Sequence, residues 1–173
     1  MNRISSQLAE QAGAFSQSLA WFVDRICALL MVLLVLDVWL GVFARRFADF
    51  DITFTEELAR YLMIWMALLA VSSAIAYREH IGMRLFVDLF PARIRRASAL
   101  FVDVCAFVFF AMLFYYGLGM TLKGANSFTM LFGVSKAWPF AAVPVSAAVA
   151  CVQLVLVATR DQLSWHTTRE AKA

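Results

Sequence analysis

The sequence predicts an all-α integral membrane protein with four transmembrane helices, and three observations predict it. Four long apolar runs cover residues 26–44, 58–77, 99–120 and 137–159. Their interiors hold only one charge, Asp37, with Arg60 and Asp103 close to an end. Hydrophobic residues make up 63% of the 173-residue chain and charged residues 16%, with a mean hydropathy of +0.77. A helix rises about 1.5 Å per residue and the hydrocarbon core is about 30 Å thick, so each run is near the length needed to cross it. Tilt or a few flanking residues supply the small differences. Four such helices packed in a soluble protein would leave almost no polar surface. Loops this short leave no room for a soluble catalytic domain.

The stretch ahead of the first run, residues 4–22, is expected to be an amphipathic helix. Ile4, Leu8, Phe15, Leu19 and Phe22 recur on one helical face, while Arg3, Gln7, Glu10 and Gln17 fall elsewhere. Such a helix suits the membrane surface, and a frayed polar tail is the alternative. The stretch lacks the compact apolar core and small-residue cleavage site of a signal peptide. The second run opens with Thr55, Glu56 and Glu57. Thr55 suits a helix N-cap, and the two carboxylates suit the positive end of the helix dipole.

Between the second and third runs, the segment 78–97 reads as a cytoplasmic loop with an interfacial part. Ile81, Met83, Leu85, Phe86, Val87, Leu89 and Phe90 are interrupted only by Arg84 and Asp88 before Pro91. Ten residues cannot cross a bilayer. Arg93, Arg95 and Arg96 follow where anionic lipid headgroups would attract them. A basic loop that only fixes topology is a compatible reading.

The basic residues set orientation. The N-terminal segment, the middle loop and the C-terminal tail share one side and hold ten Lys and Arg, from Arg3 and Arg25 to Arg169 and Lys172. The other side holds Arg45, Arg46, Lys123 and Lys136, with Arg60 just inside the second run. The positive-inside rule therefore places both termini in the cytoplasm. Dispersed among loops, the net charge of +3 gives no nucleic-acid footprint.

No catalytic constellation can be assembled, so no enzyme, metal or cofactor is expected. His80 and His166 lie outside the runs, where paired haem ligands would not stand. Cys27, Cys105 and Cys151 form no CxxC pattern and read as packing residues. Asp37 and Asp103 are the intramembrane acids. An aspartate at a helix centre costs roughly 2.5–3.5 kcal/mol on insertion scales, so it faces protein and finds a partner. Arg60 is in reach of Asp37, and Arg25 or Arg78 of Asp103. Either an ion or proton site or a structural ion pair would account for them.

One set of short motifs is more specific. Arg45-Arg46-Phe47 precedes Phe54-Thr55-Glu56-Glu57, with Arg60 and Trp65 following. Tyr77-Arg78-Glu79-His80-Ile81 closes the second run, and Val134-Ser135-Lys136-Ala137-Trp138-Pro139-Phe140 opens the fourth. In order and spacing, from about Asp24 to Ala158, these resemble the small membrane subunit of the tripartite ATP-independent periplasmic (TRAP) transporters. Phe54 stands where that family usually has tryptophan, and Met83-Arg84 where an acidic residue is common.

The resemblance implies a non-translocating subunit of the bacterial inner membrane. Its partners would be a large membrane subunit of about a dozen spans, which carries the substrate and sodium sites, and a periplasmic binding protein that delivers an organic acid. Arg45, Arg46, Glu56, Glu57, Arg60, Trp65, Arg78, His80 and Trp138 then become candidates for partner contacts. The competing reading is a self-contained four-span oligomeric exporter, proton-coupled through Asp37.

Topology is directly testable. In a cysteine-free background, single cysteines at Ser6, Ala92 and Thr168 should be shielded from an impermeant thiol reagent in intact cells. Cysteines at Asp49 and Ser127 should be labelled. The reverse pattern would refute the orientation.

Overall fold

A computed structural model describes residues 2–47, 54–77, 92–125 and 135–170. They form α1 (Asn2–Phe47), α2 (Phe54–Ala76), α3 (Ala92–Gly124), the single turn α4 (Ala137–Phe140) and α5 (Ala142–Glu170). Four of these, α1, α2, α3 and α5, contain stretches long and apolar enough to cross a membrane. The protein is an all-α, multi-pass membrane protein, as its hydropathy predicts.

α1 is one unbroken helix of 46 residues, about 69 Å at the helical rise. The stretch 4–22 is helical as expected, but it is not a separate element. It contains no proline, and Gly13 alone weakens it, so nothing breaks the hydrogen-bond ladder before the first run. Its packed side is also not the apolar stripe. Ser16, Ala20 and Val23 are buried, whereas Phe15 and Phe22 remain 61% and 58% exposed.

α1 and α2 run antiparallel with a well-defined register. Gly41 faces Thr55, where a Cβ on the glycine would come 2.9 Å from the Thr55 hydroxyl. Farther along, the Cys27 thiol lies 3.8 Å from the Met66 carbonyl. Asp24 meets Ser73 and Tyr77. Gly41 thus lets α1 and the start of α2 approach closely. Thr55 lies inside the first turn of α2 rather than ahead of it, its side chain buried against α1.

α5 is the hub, packing on α1, α2 and α3. Ala142, Ser146, Ala147 and Ala150 are buried along it, followed by Gln153, Leu154 and Val157. Lipid tails are as apolar as leucine, so membrane helices associate through close packing and hydrogen bonds, and small residues permit both. Ile75 from α2 joins Ala150 and Leu154 in the buried cluster, with Val71, Ala106 and Phe110 packed around it.

α3 is peripheral, packing chiefly on α5 and α4. Glycines seat its C-terminal half. A Cβ on Gly117 would stand 3.0–3.2 Å from Val143 and Pro144, and one on Gly124 would enter the Phe140 ring at 2.6 Å. Gly119, two residues from Gly117, has nothing within 4 Å. The six residues 92–97 extend this helix instead of ending the preceding loop; residues 78–91, with the apolar stretch 81–90, lie outside the described residues.

The fourth run starts in two pieces. α4 is followed at Ala141 by a turn with helical backbone angles, φ −61° and ψ −21°. Pro139 and Pro144 have no N–H to give, while the Ala141 and Val145 amides donate to the Ala137 and Ala141 carbonyls. Ser135 fixes the junction. Its hydroxyl reaches the Gly124 and Ala125 carbonyls at 3.4 and 3.2 Å and accepts the Ala137 amide at 3.2 Å.

Candidate functional site

The charged residues singled out in the sequence gather where α1 ends and α2 begins. Arg45 and Arg46 occupy the last turn of α1, and Glu56 and Glu57 the first turn of α2. Each pair complements its helix dipole. Arg45, Arg46, Glu56 and Arg60 are exposed and Glu57 is half-buried. Glu57 accepts the Tyr61 hydroxyl through Oε1, while its Oε2 is buried without a partner.

Asp37 lies deeper. It is only 6% exposed, and its Oδ2 is buried with no hydrogen-bond partner among the described residues. The expected pair with Arg60 is not formed, because Arg60 points to the exterior of the bundle. Helical direction explains the difference: two residues at reachable heights pair only if they also face one another. Asp103 is half-buried. Arg25, considered for it, stacks instead over the Trp21 ring at 3.9 Å. Arg78 and His80, and the side chains of Arg93, Arg95 and Arg96, lie outside the described residues.

A groove of about 610 Å³ opens among α1, α2, the α4 turn and α5. Phe22 and Leu30 from α1, Leu58 and Leu62 from α2, and Trp138 and Val145 line it in part. Among the described residues no charged one lines it, and Asp37 is not on its wall. Trp65 and Trp138, both flagged in the sequence, meet here with ring centroids 6.2 Å apart. This brings the starts of the second and fourth runs together. A second depression, of about 670 Å³, lies along α3 between Tyr115 and Phe140 and includes Lys123. Among the described residues, no group of three His, Cys, Asp or Glu could hold a metal ion.

Sequence reasoning missed the polar contacts that join the helices. Asp24, just outside the first apolar run, accepts the Ser73 hydroxyl and, at 2.9 Å, the Tyr77 hydroxyl. Gln153 is fully buried, and its Nε2 donates to the Ser16 carbonyl at 3.0 Å and hydroxyl at 2.8 Å. Its signal was present: a glutamine in an apolar run must find a partner. The partner's identity was not, because Ser16 stood in a segment read as peripheral.

Known proteins are similar to this chain. A family model described as tripartite ATP-independent periplasmic transporters, DctQ component, matches residues 34–163. The sialic acid TRAP transporter permease protein SiaT of Haemophilus influenzae is 28% identical over 106 residues, 61% of this chain and 17% of that protein. The isethionate TRAP transporter permease protein DctMQ of Oleidesulfovibrio alaskensis is 36% identical over 66 residues, 38% of this chain and 10% of that one. The sialic acid TRAP transporter small permease protein SiaQ of Vibrio cholerae is 26% identical over 91 residues, 53% of each chain. The chain thus spans about half the length of SiaQ and a small part of the other two.

The Asp24 contact yields a stability test. Asp24→Ala would leave the buried Ser73 hydroxyl without its acceptor, a loss of about 1–3 kcal/mol. Tyr77→Phe, at an exposed position, should cost less than about 1 kcal/mol. Thermal unfolding in detergent should rank the two variants in that order. Equal melting temperatures for Asp24→Ala and wild type would show that the contact does not hold α1 to α2.

Proposed function

Because the chain belongs to the DctQ component family of the tripartite ATP-independent periplasmic transporters, we propose that it is the non-translocating partner of a large membrane subunit. In this reading it widens and steadies that subunit's static scaffold. The complex takes up an organic acid, delivered by a periplasmic binding protein and driven by sodium. The chain sits in a bacterial inner membrane with both termini in the cytoplasm.

One observation carries the proposal. Among the described residues the groove between its helices is lined by aliphatic and aromatic side chains, with Ser135, Tyr61 and the two tryptophans as its polar groups and no charge, so a carboxylate solute meets no cation there. Moving a bare charge into such surroundings costs many kcal/mol unless it is paired. Asp37, the residue on which a proton-coupled exporter would depend, is sealed off from that groove.

Its relatives support the assignment of partners. Two are named permease proteins in which the matched segment is 17% or less of the whole. This fits a chain that works against a much larger membrane protein. Sialic acid and isethionate, the solutes in the relatives' names, are both organic acids. The proposal takes the solute of this complex from the same chemical class.

Reconstitution separates the two readings. Liposomes with this chain alone should take up no organic acid, and adding the large subunit, the binding protein and a sodium gradient should restore uptake. Asp37→Asn should leave that uptake within about twofold of wild type, since a residue outside the solute path contributes little to the transport barrier. Solute flux through the chain alone, abolished by Asp37→Asn, would establish the exporter instead.

A further inference from the structure

We infer that this bundle lies obliquely in the bilayer, with its helices leaning steeply, and does not stand upright in it. The inference concerns the chain by itself and does not rest on the functional reading above. It comes from the heights at which the apolar runs end. On α1 the run lies between Arg25 and Arg45. α2 is antiparallel to it, with Thr55 opposite Gly41 and Ser73 opposite Asp24. Glu57 is therefore level with about Trp39, and Tyr77 with about Ala20. Both ends of the α2 run are displaced by about 5–6 residues, or about 8–9 Å at the helical rise, toward the N-terminus of α1.

α5 is displaced farther in the same direction. Arg160, which closes its run, lies against Gly13, about 12 residues or about 18 Å from Arg25 along α1. At the other end Trp138 meets Trp65, which stands beside Met66 and so close to the height of Cys27. Lys136 is then level with about Leu30, again about 20 Å short of Arg45. α3 follows α5. Gly124 meets Phe140, and Ala106 and Phe110 pack around Ala150 and Leu154. Lys123 and Asp103 accordingly stand near the heights of Lys136 and Arg160.

Each run is thus displaced by nearly the same distance at its two ends. The polar ends mark two parallel planes, and both cut the helices obliquely. The boundaries of a bilayer are also parallel, and charged and aromatic residues gather at them, so the bundle leans until the two pairs of planes coincide. α1 and α3 each pack on α5 without a comparable interface to one another. At ordinary packing distances they stand about 16–20 Å apart. A displacement of about 18 Å across that width is a tilt of about 45°, against an average of about 20° for membrane helices.

Length and exposure agree with this tilt. The apolar part of α3 has 28 residues, about 42 Å, which overshoots the hydrocarbon when upright but covers about 30 Å at about 45°. Exposed apolar side chains occupy diagonally opposite corners of the bundle. Trp39 and Val42 on α1 lie past the level where α5 begins and are 71% and 57% exposed. Phe101 and Val104 on α3 lie past the level where α2 ends and are 70% and 53% exposed. An upright slab about 30 Å thick would leave one corner in water. The oblique slab puts lipid against both.

Spin labels at Val42, Val104 and Phe15, in the full chain reconstituted into bilayers, test the seating. Val104 is level with about Phe15, because Ala106 packs beside Leu154 and Gln153 bonds Ser16. Val42 is about 27 residues, or about 40 Å, farther along the axis. Labels at Val42 and Val104 should both show high oxygen and low nickel-chelate accessibility. Phe15 should be at least several-fold more accessible to the chelate than Val104. An upright bundle predicts water at Val42 or at Val104, and equal accessibility at Phe15 and Val104. Either result would overturn the inference. Polarised infrared spectra of oriented bilayers give the mean helix tilt without a label. About 45° is expected, and a value near the common 20° would overturn the inference as well.

Discussion

The rest of the structure depends on one constraint: inside a bilayer, a polar group is costly unless the protein that carries it satisfies it, and among the described residues only a few buried atoms, such as Asp37 Oδ2 and Trp65 Nε1, go without a partner. The Gln153–Ser16 contact expresses it through the amide nitrogen, although Gln153 Oε1 is buried without a partner among the described residues. Gln153 lies in the apolar run of α5, fully buried, and donates both to a backbone carbonyl and to a hydroxyl of α1. That contact sets the height of α5 against α1. The small residues along the same helix then allow α1, α2 and α3 to close around it. Other polar residues obey the constraint locally. Thr121, Ser146 and Thr159 donate to carbonyls three or four residues earlier in their own helices, so they cross the apolar zone without needing a neighbour.

The same constraint divides the molecule by function. Polar contacts such as Asp24 with Ser73 join helices and are consumed by packing. The space left between helices is apolar. A carrier needs the opposite arrangement, with polar groups facing a cavity and the apolar ones facing lipid. The cluster at the α1–α2 junction differs, since its charges are mostly exposed. Arg45, Arg46, Glu56 and Glu57 complement the ends of their helices, and Glu57 is half-buried with its Oε2 unpartnered among the described residues. In the proposed complex they are candidates for contacts with the partner subunit.

Much of this was legible in the sequence, and the limits have physical causes. Hydropathy located the four spans because transfer from water to hydrocarbon depends on composition alone. Glu56 and Glu57 marked the start of α2 because helix ends have a local electrostatic signature. The order of short motifs around Arg45, Trp65 and Trp138 pointed to the family, and the Trp65–Trp138 contact shows two of these motifs meeting in space. Which face of a helix packs was not legible. On α1 the apolar stripe through Phe15 and Phe22 is the strongest periodic signal, yet the buried side is Ser16, Ala20 and Val23, with Ser16 bonded to Gln153 of α5. In lipid, hydrophobicity does not select the contact face; small size and hydrogen bonding do. Gly117 and Gly119 show the same limit. They are two residues apart and chemically identical, and only the fold reveals that one is pressed against Pro144 while the other faces open space. Asp37 and Arg60 failed to pair for a related reason, since spacing along two helices fixes height but not direction.

The central claim is that the space between these helices is a lipid-like seam and not an aqueous solute path. Spin labels at Leu62, Val145 and Val149, in the isolated chain reconstituted into bilayers, measure this most directly through collision with oxygen and with a water-soluble nickel chelate. The account predicts high oxygen and low nickel accessibility at all three positions. Strong nickel accessibility along the groove would reveal a water-filled path and contradict it.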